Sequence, residues 1–232
     1  MNQTIQFLIE ARKRLLITIS IFCLLFAIFF YFSDTLFYGY MQPLQHVLSS
    51  HQHLIATQIT GPLLTPLSMA MNVALLCTVP IALLQMWYFA APALYRVEQR
   101  KLQVVLVLGF SLFLLGALFC YSLVLPTMFR CIMHALPNDV LFFPDIGSAA
   151  HFITWMMIVF GLSFQIPLIC AVLVHVQWVQ IQQLIALRPY AIVAAFTLGM
   201  LLTPPDVLSQ ILLALPLWGL FESGIFLARM RS

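Results

Sequence analysis

Charged residues are scarce in this sequence. Asp, Glu, Lys and Arg make up 7% of its 232 residues, whereas 63% are hydrophobic and the mean hydropathy is +1.04. A soluble domain typically carries about 25% charged residues, so this chain has too few to cover a water-exposed surface. The composition therefore excludes a soluble enzyme, a disordered regulator and a nucleic-acid-binding protein, and it leaves an integral membrane protein.

The chain also lacks the clusters that catalytic, redox and metal sites require. Its five cysteines form no CxxC pair, and four of them lie in apolar runs, which favours packing residues over disulfides or ligands. The sequence has no P-loop, no Rossmann glycine pattern and no histidine placed to activate a serine within an apolar run. We therefore expect no catalytic residue, no cofactor and no metal, with His51-x-His53 as the one alternative metal-binding pair.

Apolar segments of helical length fill most of the chain, and a helix needs about 20 residues to cross a bilayer. The predicted spans are residues 15–33, 67–90, 104–126, 149–174, 189–203 and 207–228. The fifth has 15 residues, which gives about 22 Å at about 1.5 Å per residue. Prolines inside three spans are expected to bend them. The sequence predicts one all-α domain of six transmembrane helices over residues 1–232, forming a cupped bundle with short fifth and sixth spans.

The basic residues predict how the chain is oriented. Nine of the ten Lys and Arg residues lie in the N-terminal tail, in the connections 91–103 and 175–188, and at the C-terminus. Arg130 lies on the opposite side, in one of two long loops that we predict over residues 34–66 and 127–148. Because Lys and Arg are enriched in cytoplasmic loops, both termini are predicted to be cytoplasmic.

Ionisable residues are rare inside the predicted spans. Glu222 is the clearest example, and such residues are usually functional. Alternatively, Glu222 reaches the interface or pairs with a basic residue of the C-terminal tail. A small-molecule or ion transporter usually has several carboxylates or histidines at midplane depth and internal repeats, and the sequence shows neither.

Two carboxylates lie among basic residues at the predicted cytoplasmic face. Glu10 precedes Arg12-Lys13-Arg14, and Glu98 lies between Arg96 and Arg100. Each carboxylate could simply neutralise its neighbours. Alternatively, the two receive a cationic ligand, because guanidinium and carboxylate groups match in a two-bond fork.

Four segments of the chain resemble the TatC family, the polytopic core subunit of the twin-arginine, or Sec-independent, protein translocase. Residues 7–15 are similar to the HLxELRxRL pattern, with Phe7 in place of His and Ala11 in place of Leu, and residues 89–98 are similar to FxxPxLxxxE. The other two segments are Leu202-Thr203-Pro204-Pro205-Asp206 with Ser209-Gln210, and Pro216 with Phe221-Glu222.

The resemblance implies a function without covalent chemistry. The chain is expected to recognise twin-arginine signal peptides of folded precursors and to assemble with the single-span subunits TatA and TatB. It is also expected to self-associate among the lipids of the bacterial inner membrane, with export driven by the protonmotive force. An assembly scaffold that does not act as a receptor is the alternative.

The resemblance also implies roles for particular residues. Signal-peptide binding corresponds to Glu10, Arg12, Phe89, Pro92 and Glu98; partner-helix docking to Gln165, Met200, Thr203 and Gln210; and an outer-side motif to Pro43, Pro204, Pro205 and Asp206. The family often has glutamate where this chain has Gln165, so a hydrogen-bonding role is expected there. Two arginine–carboxylate pairs contribute roughly 3–6 kcal/mol, so an apolar groove for the rest of the signal peptide is also expected.

Overall fold

The computed structural model describes residues 2–45, 61–94, 99–135, 144–203 and 207–230. Within these ranges the chain is almost entirely helical and has no β-strand. The prediction of an all-α membrane protein is therefore confirmed. The helices are α1 Asn2–Tyr31, α2 Ser33–Gln45, α3 Gly61–Leu94, α4 Gln99–Phe119, α5 Leu125–Ala135, α6 Ile146–Ser163, α7 Ile166–His175, α8 Ile181–Ala186, α9 Arg188–Leu202 and α10 Val207–Met230.

Five helical segments of the described chain are long and apolar enough to cross a membrane. They are Leu8–Tyr31, Leu64–Phe89, Gln103–Met133, Ile146–His175 and Val207–Met230. Helix α9 is apolar but has only 15 residues, in agreement with the short fifth run of the sequence. The total of six spans and the cytoplasmic placement of both termini stay predictions.

The two predicted outer loops contain helices. Helix α2 occupies the start of the predicted loop 34–66, and α5 continues to Ala135 inside the predicted loop 127–148. Both predictions were wrong there. Helix α2 is short and lacks the long apolar run that signals a span, and most of α5 belongs to the candidate span Gln103–Met133, which continues beyond its predicted end at residue 126. Apolar residues of both helices are buried, as Met41 and Leu44 are in α2 and Met128 is in α5.

Two prolines coincide with changes in helix geometry. Helix α6 ends at Ser163 and α7 begins at Ile166, next to Pro167, because proline lacks an N–H donor and its ring meets the carbonyl four residues earlier. A π-helix at Cys120–Val124 joins α4 to α5 just before Pro126. Helices α3 and α10, by contrast, continue through Pro80 and Pro216, so proline alone does not end these helices.

The chain divides into two compact units. The first comprises Met1–Tyr40 and Ala56–Ser111, in which α1 packs along α3. The second comprises Met41–Ile55 and Leu112–Ser232, in which α10 packs against α7 and α9.

Glycines bring helices of the second unit into close contact. A Cβ atom added at Gly116 would lie 2.8 Å from the backbone oxygen of Phe160, and one added at Gly161 would lie 2.5 Å from the Phe113 ring. Likewise, a Cβ at Gly224 of α10 would lie 3.1 Å from the Cα of Pro167. Small residues allow this approach of backbones, which is the usual basis of helix association in membranes.

Candidate functional site

Glu10 lies on α1 and forms an ion pair one helical turn along the same helix. Arg14 donates from Nη2 to Oε1 of Glu10 at 2.5 Å and from Nε to the same oxygen at 3.2 Å. The spacing of four residues places the two side chains next to each other on one face of the helix. The Glu10 side chain is 47% exposed and that of Arg14 is 21% exposed, so the carboxylate is the more accessible partner.

Arg14 also connects α1 to α3. Its Nη1 donates to the backbone carbonyl of Gln85 at 3.2 Å. Its guanidinium carbon lies 5.9 Å from the ring centroid of Tyr88 and 6.0 Å from that of Phe89, within the range of cation–π attraction. The guanidinium therefore contacts a carboxylate of its own helix, and a carbonyl and two aromatic rings of α3.

A cavity of about 310 Å³ lies between α1 and α3, with Arg14 in its wall. Its lining is mostly apolar and includes Leu15, Ile19, Met86 and Phe89. This is the kind of apolar recess expected beside a carboxylate site for a ligand with both a cationic and an apolar part. Phe89, a predicted site residue, thus contributes to the cavity wall and to the surroundings of Arg14.

The other predicted signal-binding residues are not gathered at this point. Arg12 lies with Lys13, Leu16 and Ile17 around a recess on a different side of α1, because positions two apart on a helix point in nearly opposite directions. Pro92 lies in the last turn of α3, and Glu98 lies outside the described residues.

Arg14 is not among the site residues predicted from the sequence. Its signal was the four-residue spacing from Glu10, which predicts a side-chain pair on a helix. The contacts with Gln85 and Tyr88 could not be predicted in this way, because they depend on how α1 packs against α3.

The predicted docking residues differ in accessibility. Thr203 is 7% exposed, and its hydroxyl donates to the carbonyl of Gly199 at 2.9 Å. Gln210 of α10 donates from Nε2 to the carbonyl of Phe196 at 3.1 Å, which links α10 to α9. Gln165 is 2% exposed at the break between α6 and α7, whereas Met200 is 58% exposed. Of these four side chains, only that of Met200 is largely exposed.

The outer-side motif is described only in part. Pro43 is buried within α2. Pro204, Pro205 and Asp206 lie outside the described residues, and so do His51 and His53.

Glu222 forms a second ion pair, separate from the Glu10–Arg14 pair. Its partner is Arg188, the first residue of α9, and the pair connects α9 to α10. The prediction of a partner in the C-terminal tail was therefore wrong, since the short α8–α9 connection brings Arg188 alongside the last helix. Oε2 of Glu222 and Nε of Arg188 are both buried and make no hydrogen bond.

The fold and the ion pairs define a multi-pass α-helical membrane protein with an accessible carboxylate at one end of its first span. The model of the family TatC, described as Sec-independent protein translocase protein, matches residues 6–216. The chain belongs to the TatC family.

Relatives and solved structures agree with this assignment. The chain is 38% identical to the Sec-independent protein translocase protein TatC of Escherichia coli K12, over 96% of this chain and 86% of that protein. It is 39% identical to the TatC protein of Haemophilus influenzae, over 96% and 87%. A crystal structure of the twin-arginine translocase receptor TatC matches with a TM-score of 0.85 and 32% identity, covering 97% of this chain and 99% of that one.

Family membership has consequences for several sequence-based predictions. The chain is a subunit of the twin-arginine protein translocase and a multi-pass protein of the inner membrane. It is a transport protein and not an enzyme, as the sequence predicted. A small-molecule or ion transporter is no longer a competing hypothesis.

Proposed function

We propose that this chain recognises the twin-arginine signal peptides of folded precursors at the cytoplasmic face of the membrane. The observation that carries this proposal is an exposed carboxylate, Glu10, next to an apolar cavity between α1 and α3. The signal peptide would place a guanidinium on the carboxylate and part of its apolar stretch in the cavity. Recognition then nucleates assembly of the export complex, which the protonmotive force drives.

The free energy of signal-peptide binding requires both the carboxylates and the apolar cavity. A hydrogen bond to a charged group contributes about 1.5–3 kcal/mol net, so two arginines on Glu10 and Glu98 would give roughly 3–6 kcal/mol. That range corresponds to dissociation constants from about millimolar to tens of micromolar. Full burial of one leucine-sized side chain adds roughly 1.5–3 kcal/mol, which makes the cavity a necessary second contribution.

The remaining predicted residues would support this site. Glu98 supplies the second carboxylate in the proposal, and Phe89 shapes the cavity. Arg12 lies on a different side of α1 from the Glu10–Arg14 pair, so we assign it to the surrounding surface and not to the same guanidinium. Pro92 is proposed to shape the end of α3.

TatA and TatB are proposed to dock along α9 and α10. Met200 offers an exposed apolar contact there. Thr203 and Gln210 use their polar groups within the α9–α10 pair, so their proposed role is to hold the docking surface in shape. Gln165 would support the same assembly from inside the second unit, and self-association is part of the proposal.

The test is binding of a labelled twin-arginine signal peptide to the purified protein in lipid nanodiscs, compared with a twin-lysine peptide. Glu10→Gln keeps the size of the side chain and removes its charge. Loss of one charged hydrogen bond predicts roughly 10- to 100-fold weaker binding of the arginine peptide. Glu222→Gln is the matched control, because it makes the same change in the second ion pair.

Two outcomes would contradict the proposal. Unchanged arginine-selective binding in a folded Glu10→Gln variant would remove Glu10 from the site. The absence of peptide binding in the unsubstituted protein would favour the scaffold hypothesis, in which the chain assembles other membrane subunits without reading the signal.

A further inference from the structure

We propose that Arg14 makes Glu10 selective for a planar guanidinium over an ammonium group, by neutralising the carboxylate and occupying one of its two oxygens. This inference rests on the proposed function and deepens it, because it names the residue that determines specificity. Arg14 acts here as a positioning residue that sets what Glu10 can accept.

The ion pair uses only one oxygen of the Glu10 carboxylate. Nε and Nη2 of Arg14 both donate to Oε1 of Glu10. Within the part of the chain that the structure describes, Oε2 of Glu10 accepts no hydrogen bond. A ligand can therefore be received at Oε2 while Arg14 stays on Oε1.

Arg14 is also held in place by residues of α3. An exposed ion pair between residues four apart is usually weak, because two flexible side chains must be ordered. Here the Gln85 carbonyl and the rings of Tyr88 and Phe89 already order the guanidinium. Arg14 is therefore expected to remain on Glu10 when a ligand arrives.

The ion pair also has an electrostatic consequence. Because the Glu10–Arg14 pair carries no net charge, its attraction for a distant cation is largely cancelled. Binding then depends on a short-range hydrogen bond to Oε2. A guanidinium is weakly hydrated and presents a planar N–H edge, whereas an ammonium is a strongly hydrated point charge that loses more on dehydration. Because only Oε2 is open, arginine in the ligand is favoured for its weaker hydration.

The protein variants that test this inference are Arg14→Gln and Arg14→Lys, with Lys13→Gln as the charge-matched control on the neighbouring position. Arg14→Gln restores the net charge of Glu10, so the lysine peptide should bind more tightly and the preference for arginine should fall about tenfold. Arg14→Lys keeps the compensating charge and should retain most of the preference. Lys13→Gln should leave the preference unchanged.

A ligand-side measurement needs no substitution at Arg14. A peptide with citrulline at both positions carries a neutral, planar group with N–H donors, and it is compared with the lysine peptide on Glu98→Gln, which removes the charge of the second proposed carboxylate. If Glu10 selects weak hydration and not charge, the citrulline peptide should bind at least as tightly as the lysine peptide. Tighter binding of the lysine peptide would overturn the role of Arg14, even if Arg14→Gln does not fold.

The outcomes separate the inference from the proposed function. Arginine-selective binding by the unsubstituted protein, with the same preference in a folded Arg14→Gln variant, would overturn only the role of Arg14. An unsubstituted protein that binds neither peptide, or both equally, would overturn the proposed function and the role of Arg14 together.

Discussion

The two ion pairs of the molecule use the same chemistry in different surroundings. Glu10 and Arg14 lie four residues apart on one helix, and the carboxylate is 47% exposed. Glu222 and Arg188 lie 34 residues apart and join α9 to α10; their side chains are 39% and 37% exposed, but Oε2 of Glu222 is buried. One carboxylate is thus paired within a single helix and has its second oxygen available, whereas the other connects two helices of the fold.

The helices that carry these pairs are covered to different extents. None of the apolar window in Leu8–Tyr31 is buried by protein, whereas 33% of the window in Val207–Met230, the helix of Glu222, is buried. A substitution on α1 away from its contacts with α3 is therefore expected to have a small effect on packing. A residue in the second unit is expected to affect stability first.

The largest effect is expected from Gly116→Ala in the closely packed second unit. The new Cβ would lie 2.8 Å from the backbone oxygen of Phe160 and 2.9 Å from the Phe164 ring. Because a backbone oxygen cannot rotate away, the free energy of unfolding should fall by about 3 kcal/mol, the upper end of the usual cost of overpacking. Thermal unfolding in detergent measures the change.

Gly219→Ala is the matched control for this substitution. No atom lies within 4 Å of a Cβ added at Gly219, and alanine favours a helix over glycine by about 1 kcal/mol. Stability should therefore stay equal or rise. Equal losses of stability in the two variants would show that the close contact at Gly116 is not the cause of the loss.

The next effect in size concerns the second ion pair. Glu222→Ala leaves the Arg188 guanidinium without its carboxylate, and because both side chains are partly exposed the free energy of unfolding should fall by about 1 kcal/mol. The preference for arginine over lysine peptides should not change. Ser223→Ala, which affects a hydroxyl bonded only within its own helix, serves as the control. A changed peptide preference in Glu222→Ala would break the distinction between the two pairs.

A smaller effect is expected from the bond between α9 and α10. Gln210→Met keeps the length of the side chain and removes the donor to the Phe196 carbonyl. Hydrogen bonds between helices in membranes contribute about 0.6 kcal/mol on average. The free energy of unfolding should therefore fall by roughly that amount. Co-purification of single-span partner subunits would then report whether the shape of the α9–α10 surface matters for docking.

The smallest effect on stability is expected at Glu10. Exposed ion pairs four residues apart contribute about 0.3–0.5 kcal/mol. The free energy of unfolding of the Glu10→Ala variant should therefore be close to that of the unsubstituted protein. The same variant should lose the preference for the arginine peptide. A loss of stability as large as that of Glu222→Ala would make both pairs structural and remove the contrast between them.

The transmembrane helices could be predicted because each contains an apolar run of sufficient length. Helix α2 could not, since its buried apolar residues, such as Met41 and Leu44, do not belong to a long apolar run. The carboxylate at Glu10 was found from its basic neighbours and from the resemblance to a family. The Arg188–Glu222 pair was not, because a separation of 34 residues carries no periodic signal.

The π-helix at Cys120–Val124 determines how α5 is rotated about its helix axis relative to α4. A π-turn holds more residues than an α-turn, and each residue of an α-helix advances by about 100°. Deleting one residue there would turn α5 by that angle and carry the buried Met128 and Phe129 away from their neighbours. The direction in which α5 presents its apolar side thus depends on the winding of a single turn.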